Sequence, residues 1–349
     1  MSWEWTPAAR RGLTEFLEAR GLTRGPVTTR RIGDGHSNLT YLVSDGERQV
    51  VLRRPPPPPV PPGAHDMMRE ARLIGALRGT EVPVARLLAT ADAGQLLDVP
   101  CYVMGFAAGP VVTTRTPPPL DQPRVRTAIG YALVDTLAAL HAVDWRAAGL
   151  ADLGRPTGFT ERHLRRITGL AAGEDGVLPA TFAPVHSWLT ANIPAESGAA
   201  LIHNDYRIGN VVLSTEEPGR IEAVLDWELA AIGDPLFDLG YFLASVPRPG
   251  VPRTPTEEFG TALLEPGYPS REDLEQRYAA RTGANLAALG WYRVFALWKL
   301  AALYEYGRRR AGGDPYYQDE SLVRSFLREA HDVAGAEPGP GLGSIERSP

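Results

Sequence analysis

Lysine is almost missing from this chain. Lys299 is the only one, and every other basic residue is an arginine. Cysteine is as scarce: Cys101 stands alone, so no disulfide can form within the chain, and a reducing, cytoplasmic setting is expected. No apolar run approaches the ~18 residues of a membrane-spanning helix. The opening stretch, MSWEWTPAARRGLTEF, lacks a basic start followed by an apolar core, so no signal peptide is expected. Positive charge is also in deficit, with 36 basic against 41 acidic residues and a net charge of -5. That balance argues against a nucleic-acid partner and against a polybasic membrane anchor, while leaving room for a local basic pocket. Nothing in the sequence speaks to oligomeric state.

What is present describes a folded protein. Hydrophobic residues make up 44% and charged residues 22% of 349, enough for one large domain or two modest ones. The 36 glycines and 32 prolines, with the arginine bias, suggest GC-rich coding. Residues 8–20 read as a short amphipathic helix. VTTRRIG (27–33), NLTYLVS (38–44) and RQVVLRR (48–54) are β-branched or aromatic runs separated by turn residues. PPPPPVPP (55–62) excludes helix or central strand and reads as a stiff polyproline connector, with a ligand for a proline-binding partner as the second reading. AHDMMREARLIGAL (64–77) has helical periodicity, with Met68, Leu73 and Leu77 on one side. VARLLATAD (84–92) and VPCYVMGF (99–106) complete a five-stranded sheet with one inserted helix. Beyond 106 the patterns turn helical, at 124–143, 158–170, 180–192, 271–282, 285–310 and 318–334. Short strand-like runs interrupt them at 200–225. The expected division is therefore 1–105, then 106–335, with a flexible Gly- and Pro-rich tail at 336–349.

LIHNDYRIGNVVL (201–213) places His203, Asn204, Asp205, Arg207 and Asn210 within eight residues, between two apolar runs. A hairpin follows, and its second strand ends at Asp226. Such a hairpin can turn Asp205, Asn210 and Asp226 toward one cleft. Two carboxylates and an amide oxygen in a small volume repel each other unless a cation lies between them, and oxygen donors with water suit Mg²⁺. A carboxylate outside that cage can orient a hydroxyl and accept its proton. His203 reads as structural. Arg207 reads equally as structural or as a contact to phosphate or substrate. In GDPLFDLGYFL (233–243), Asp234 can cap a helix with Pro235 at its first position, and Asp238 can hydrogen-bond back to the 203–210 loop.

The order H-x-D-x-x-x-x-N, then hairpin, then Asp, with the string HNDYRIGNVVL…AVLDWELAAIGDPLFDLGYFLA, resembles the aminoglycoside phosphotransferase (choline-kinase-like) family of the protein-kinase-like superfamily. The likeness runs from residue 25 to about 330 and is nearest the branch associated with acyl-CoA dehydrogenases. It implies a bilobal α+β protein-kinase-like fold, with a five-stranded antiparallel sheet and a helix in the N-lobe and a mainly helical C-lobe. It makes Asp205 the catalytic base and Asn210 and Asp226 the magnesium ligands. The turn in RIGDGHSNLTYLV would cover nucleotide phosphates through Gly33, Gly35, Ser37 and Asn38, although the same string is also an ordinary hairpin. Arg53 stands where the family usually carries a lysine for the α- and β-phosphates, with Glu70 as its helix partner, and that exchange is not conservative. Met104 to Phe106 would offer backbone to the adenine edge. The implied reaction moves the γ-phosphoryl group of ATP or GTP to a small-molecule hydroxyl, with a hydroxyacyl compound first and an aminoglycoside-like natural product second. A weak or inactive nucleotide-binding module is the alternative, which Arg53 favours. A metal-dependent hydrolase is the third reading.

Overall fold

The computed structural model describes residues 5–33, 38–57, 65–174, 176–310 and 318–336. The chain forms two compact units. The first comprises Met1–Gly109 together with Glu222–Glu228, and the second comprises Pro110–Ile221 with Leu229–Pro349. The sequence-based boundary at 105/106 falls slightly earlier and had left 222–228 with the second lobe. Of the tail expected at 336–349, residue 336 ends the last helix and residues 337–349 lie outside the described residues, as do residues 58–62 of the proline run.

The first unit is built on an antiparallel sheet: β1 (Thr28–Ile32), β2 (Leu39–Ser44), β3 (Gln49–Arg54), β4 (Leu87–Ala91) and β5 (Cys101–Gly105), in spatial order β1-β2-β3-β5-β4. The first three strands are successive antiparallel neighbours, and their β-branched residues suit a pleated, half-buried surface. Helix α1 (Pro7–Glu18) starts at Thr6, whose hydroxyl accepts the Ala9 N–H, and has proline in its first turn. It buries Leu13 and Leu17 in the same core as Leu39, Tyr41, Val43, Val50 and Leu52. Helix α2 (Met67–Leu77) is capped by Asp66 and packs on β4 and β5. Its buried stripe runs through Met67, Glu70, Ala71, Leu73, Ile74 and Leu77. Met68, expected on that stripe, is only half-buried, because the stripe begins one residue earlier.

Residues 222–228 belong to this unit through specific bonds. Val224 forms a parallel bridge with Val84, and its N–H donates to the Pro83 carbonyl at 2.8 Å. Trp227 is buried and donates its indole N–H to the Val224 carbonyl at 3.0 Å.

In the second unit the main helices are α3 (Pro123–His141), α4 (Phe159–Ala171), α5 (Ala183–Ala191), α6 (Leu236–Ser245), α7 (Pro255–Glu258), α8 (Arg271–Thr282), α9 (Leu289–Arg310) and α10 (Glu320–Ala336). Among them, β6 (Ala200–Ile202) pairs antiparallel with β9 (Ala231–Gly233). Strand β7 (Val211–Leu213) leads into a turn closed by the Ser214 N–H on the Arg220 carbonyl, 2.9 Å, before β8 (Ile221–Val224). α6 is buried along its whole length and lies against α9. α6 begins one residue later than expected. Pro235 itself is the N-cap, and the Asp234 carboxylate accepts from the Leu236 N–H, 2.9 Å. The same carboxylate accepts from the Ser197 N–H and hydroxyl and from the Tyr292 hydroxyl on α9, 2.9 Å. A fully buried anion with four donors is a strong local fastener. Among the described residues, no helix is long and apolar enough to cross a membrane.

The α6–α9 crossing depends on Gly240. A Cβ there would stand 2.8 Å from the Tyr292 carbonyl carbon and 2.9 Å from its oxygen. Gly240→Ala is expected to cost about 1–3 kcal/mol through overpacking. Urea unfolding measures this, and a loss below about 0.5 kcal/mol, the usual range for surface changes, would mean the helices do not meet this closely.

Candidate active site

β6 ends at Ile202, and the chain turns at once into the polar loop. Two consecutive amides of that loop, from His203 and Asn204, donate to the Asp238 carboxylate at 2.6 and 2.7 Å. Asp238 lies in the first turn of α6 and is fully buried. His141 Nε2, at the end of α3, is 3.2 Å from the same carboxylate, and its Nδ1 meets the Tyr278 hydroxyl at 2.6 Å. Burial opposes ionisation of Asp238, but His141, His203 and the backbone amides outweigh it and hold this carboxyl below the usual aspartate range. The loop-bracing part expected for Asp238 is thus seen in its hydrogen bonds. His203 is fully buried and its Nδ1 accepts the Asp205 N–H at 3.2 Å.

Asn204 has φ +66°, the left-handed region that non-glycine residues rarely occupy. Asparagine tolerates it best after glycine. Its side-chain amide donates to the Leu229 carbonyl at 2.9 Å, and its own carbonyl accepts from Lys299 Nζ at 2.7 Å.

This kink presents Asp205. Its Oδ1 accepts from the Tyr241 hydroxyl, and its Oδ2 accepts from Asn210 Nδ2 at 2.8 Å. Asn210 Nδ2 also donates to the Asp205 backbone carbonyl, 2.7 Å. With its nitrogen held there, the Asn210 amide has its Oδ1 left for a hard cation, the donor type Mg²⁺ takes. Arg207 stands 3.8 Å from Asp205 Oδ1, a quarter exposed. Tyr206 anchors the loop from below, its hydroxyl on the Leu133 carbonyl at 2.8 Å.

The first unit carries the other predicted residues. Asp226 follows β8 with φ +65°, a second left-handed residue that is not glycine. Its Oδ1 accepts from Arg53 Nη2 at 2.6 Å. Arg53 Nε lies 3.3 Å from Glu70 Oε2, so the predicted pair exists, with both side chains largely buried. Burial works against the Arg53 charge, but Glu70, Tyr102 and Asp226 together hold it firmly protonated. Burial, reinforced by Asp226, pushes the Glu70 carboxyl up while Arg53 pulls it back. Asn38 is buried; its amide donates to Glu228 at 2.8 Å and its oxygen meets His65 Nδ1 at 2.8 Å. Gly33 has φ +77°, as a glycine turn after β1 requires. Gly35 and Ser37 lie outside the described residues. Met104 is buried in β5, and Phe106 just beyond it is 39% exposed.

Three participants were not expected: Tyr241, Lys299 and Glu228. Tyr241 sits three residues after Asp238 on α6, a spacing that puts both on one helix face. Lys299 is a lone charge in the apolar run of α9. It is buried, with its Nζ 5.0 Å from the Tyr241 ring centroid. Burial pulls its pKa down to about 8, against the opposing pull of Asp205 and Asp238. Being the chain's only lysine, it gives a single signal after ¹³C labelling of lysine at Cε. The titration midpoint of that signal should fall near 8, and Asp205→Asn should lower it further. A midpoint near the ordinary lysine value of ~10.4 would contradict a desolvated amine.

Comparison with known proteins accords with these features. The description "Phosphotransferase enzyme family" matches residues 28–274. Human acyl-CoA dehydrogenase family member 11 is 32% identical over 291 residues, which is 82% of this chain and 36% of that protein. Mouse acyl-CoA dehydrogenase family member 10 is 28% identical over 323 residues, 90% of this chain and 30% of that protein. The chain thus spans about a third of the length of these relatives. A crystal structure from Ralstonia eutropha, named for the aminoglycoside phosphotransferases, superposes with TM-score 0.73 at 27% identity, covering 93% of this chain and 95% of that one. A thermostable mutant of aminoglycoside phosphotransferase APH(4)-Ia, solved with AMP-PNP and hygromycin B, shares the fold at TM-score 0.59 and 15% identity, covering 95% and 100%. The chain belongs to the phosphotransferase enzyme family and has the α+β, protein-kinase-like fold of the aminoglycoside phosphotransferases.

Proposed function

We propose that this protein is a small-molecule kinase, moving the γ-phosphoryl group of ATP or GTP to an alcohol. The observation that carries the reading is the state of Asp205. Its carboxylate is held by one donor on each oxygen, from Tyr241 and Asn210, on a loop pinned by Asp238. A carboxylate fixed in this way can orient an acceptor hydroxyl and take its proton as the new P–O bond forms. The bond between the γ-phosphorus and the bridging oxygen breaks, and the nucleoside diphosphate leaves. Asn210 Oδ1 and the Asp226 carboxylate are oxygen donors suited to Mg²⁺, which when bound neutralises charge on the β- and γ-phosphates. Arg53, braced by Glu70 at 3.3 Å, supplies the cation for the α- and β-phosphates. Gly33, Gly35, Ser37 and Asn38 contribute the turn over the phosphates, and Met104 to Phe106 the backbone at the adenine edge. Support for nucleotide use comes from relatives solved with AMP-PNP, ADP and GDP. The site would work in the cytoplasm.

For the acceptor, charges that bear on Asp205 within its own unit include cationic Arg207 at 3.8 Å and Lys299. They favour a neutral or acidic hydroxyl compound, such as a hydroxyacyl molecule, over a polycationic aminoglycoside. The second reading is a nucleotide-binding module with weak transfer. It rests on Arg53, an arginine in the lysine position that is engaged with Asp226 at 2.6 Å.

Calorimetry with ATP and GTP, with and without Mg²⁺, tests the proposal on wild type and Asp226→Asn. Magnesium-dependent binding is expected, with affinity lost about tenfold or more in the mutant, a loss of ~1.4 kcal/mol or more. Well-folded wild-type protein that binds neither nucleotide would sink the kinase reading.

A further inference from the structure

Asp205 is held from two sides. Asn210, on its own loop, holds Oδ2. The other hold comes from α6, where the hydroxyl of Tyr241 donates to Oδ1. Tyr241 is buried, and its ring lies under Lys299 Nζ at 5.0 Å. Lys299, from α9, donates in turn to the carbonyl of Asn204, 2.7 Å. That carbonyl belongs to the left-handed residue, φ +66°, immediately before Asp205. Rotation of the 204–205 peptide toward a relaxed conformation would swing the Asp205 side chain. A donor on that carbonyl opposes the rotation, and one on the carboxylate opposes a change of rotamer. Two helices that supply no other group to Asp205 therefore fix its backbone and its side chain separately.

We propose that Tyr241 and Lys299 are positioning residues for Asp205, acting together from α6 and α9, an inference that rests on the kinase reading of the site. Neither residue needs to touch nucleotide or acceptor. Tyr241 sets the plane of the carboxylate. Lys299 holds the kinked peptide and lies on the Tyr241 ring, where a cation–π contact keeps ring and amine in register. Loss of either should leave nucleotide affinity intact and slow transfer, because a misplacement of ~1 Å can cost ~100-fold in rate.

The test uses Tyr241→Phe, which keeps the ring and removes only the hydroxyl. Three measurements are made on wild type and variant: Mg²⁺-nucleotide affinity by calorimetry, the kcat of nucleotide hydrolysis with water as acceptor, and a crystal structure. The expected result is nucleotide affinity within about twofold, kcat lowered by about tenfold to ~100-fold, and Asp205 in a second rotamer. Lys299→Met should lower kcat to a similar degree; if it does not fold, Tyr241→Phe still decides. An unchanged Asp205 rotamer in Tyr241→Phe, or an unchanged kcat, overturns the positioning role. Wild-type protein without nucleotide binding fails the kinase reading instead, and the crystal comparison still decides whether Tyr241 orients Asp205.

Discussion

The buried carboxylate of Asp238 is the constraint on which the second unit's polar loop depends. An anion with no solvent exposure must find its donors inside the protein. Here they are the amides of His203 and Asn204 and the imidazole of His141. Two successive amides on one carboxylate fix the entry of the loop, and the left-handed conformation of Asn204 turns the chain immediately after them. Everything downstream follows from it: Asp205 leaves the strand axis, its side chain reaches Tyr241 and Asn210, and the Asn204 carbonyl turns toward Lys299. The anchor and one of the clamps, Asp238 and Tyr241, sit three residues apart on the same helix. Gly240 lets that helix approach α9, which carries Lys299.

A parallel arrangement holds Asp226 in the first unit. Its backbone is also left-handed, and its carboxylate is met by Arg53, which Glu70 supports from α2. Three described residues other than glycine have positive φ, and two of them are Asn204, just before Asp205 in the second unit, and Asp226 in the first. Each such conformation costs about 1–2 kcal/mol, less for Asn and Asp, and persists only where the surroundings enforce it. In both places the enforcing contacts are hydrogen bonds and ion pairs to residues distant in sequence.

That separation explains what the sequence could and could not convey. The sheet was legible because its strands alternate β-branched and aromatic residues between obvious turns, and the helices because their apolar residues recur at helical spacing. The Asp205 loop was legible because its polar residues cluster between two apolar runs. The Arg53–Glu70 pair was reached through the family pattern. Tyr241 and Lys299 were not found, because each sits in an apolar helix where an aromatic or a lone charge reads as core or as composition bias. A signal existed: the three-residue step from Asp238 to Tyr241, and a single lysine in WKLAALY. The partners of Asn38, Glu228 and His65, were also out of reach, since one of those bonds joins residues 190 positions apart. Met68 was misplaced because a one-residue error in helix phase turns a side chain by about 100°.

The claim that Asp238 organises the loop is tested most directly by the unfolding free energy of wild type and Asp238→Asn between pH 3 and 7. Asparagine keeps one acceptor but presents a donor where an N–H or imidazole now points. At neutral pH the gap should be about 3–5 kcal/mol, as for breaking a buried ionic pair. The folded-state pKa of Asp238 lies below its unfolded value. Its contribution is therefore fully present above the unfolded value of ~3.9 and is lost as pH falls through the folded one. The account predicts that the gap narrows at the acid end of the range. A gap that stays constant down to pH 3, or one below about 1 kcal/mol at neutral pH, well short of the buried-pair range, would contradict it.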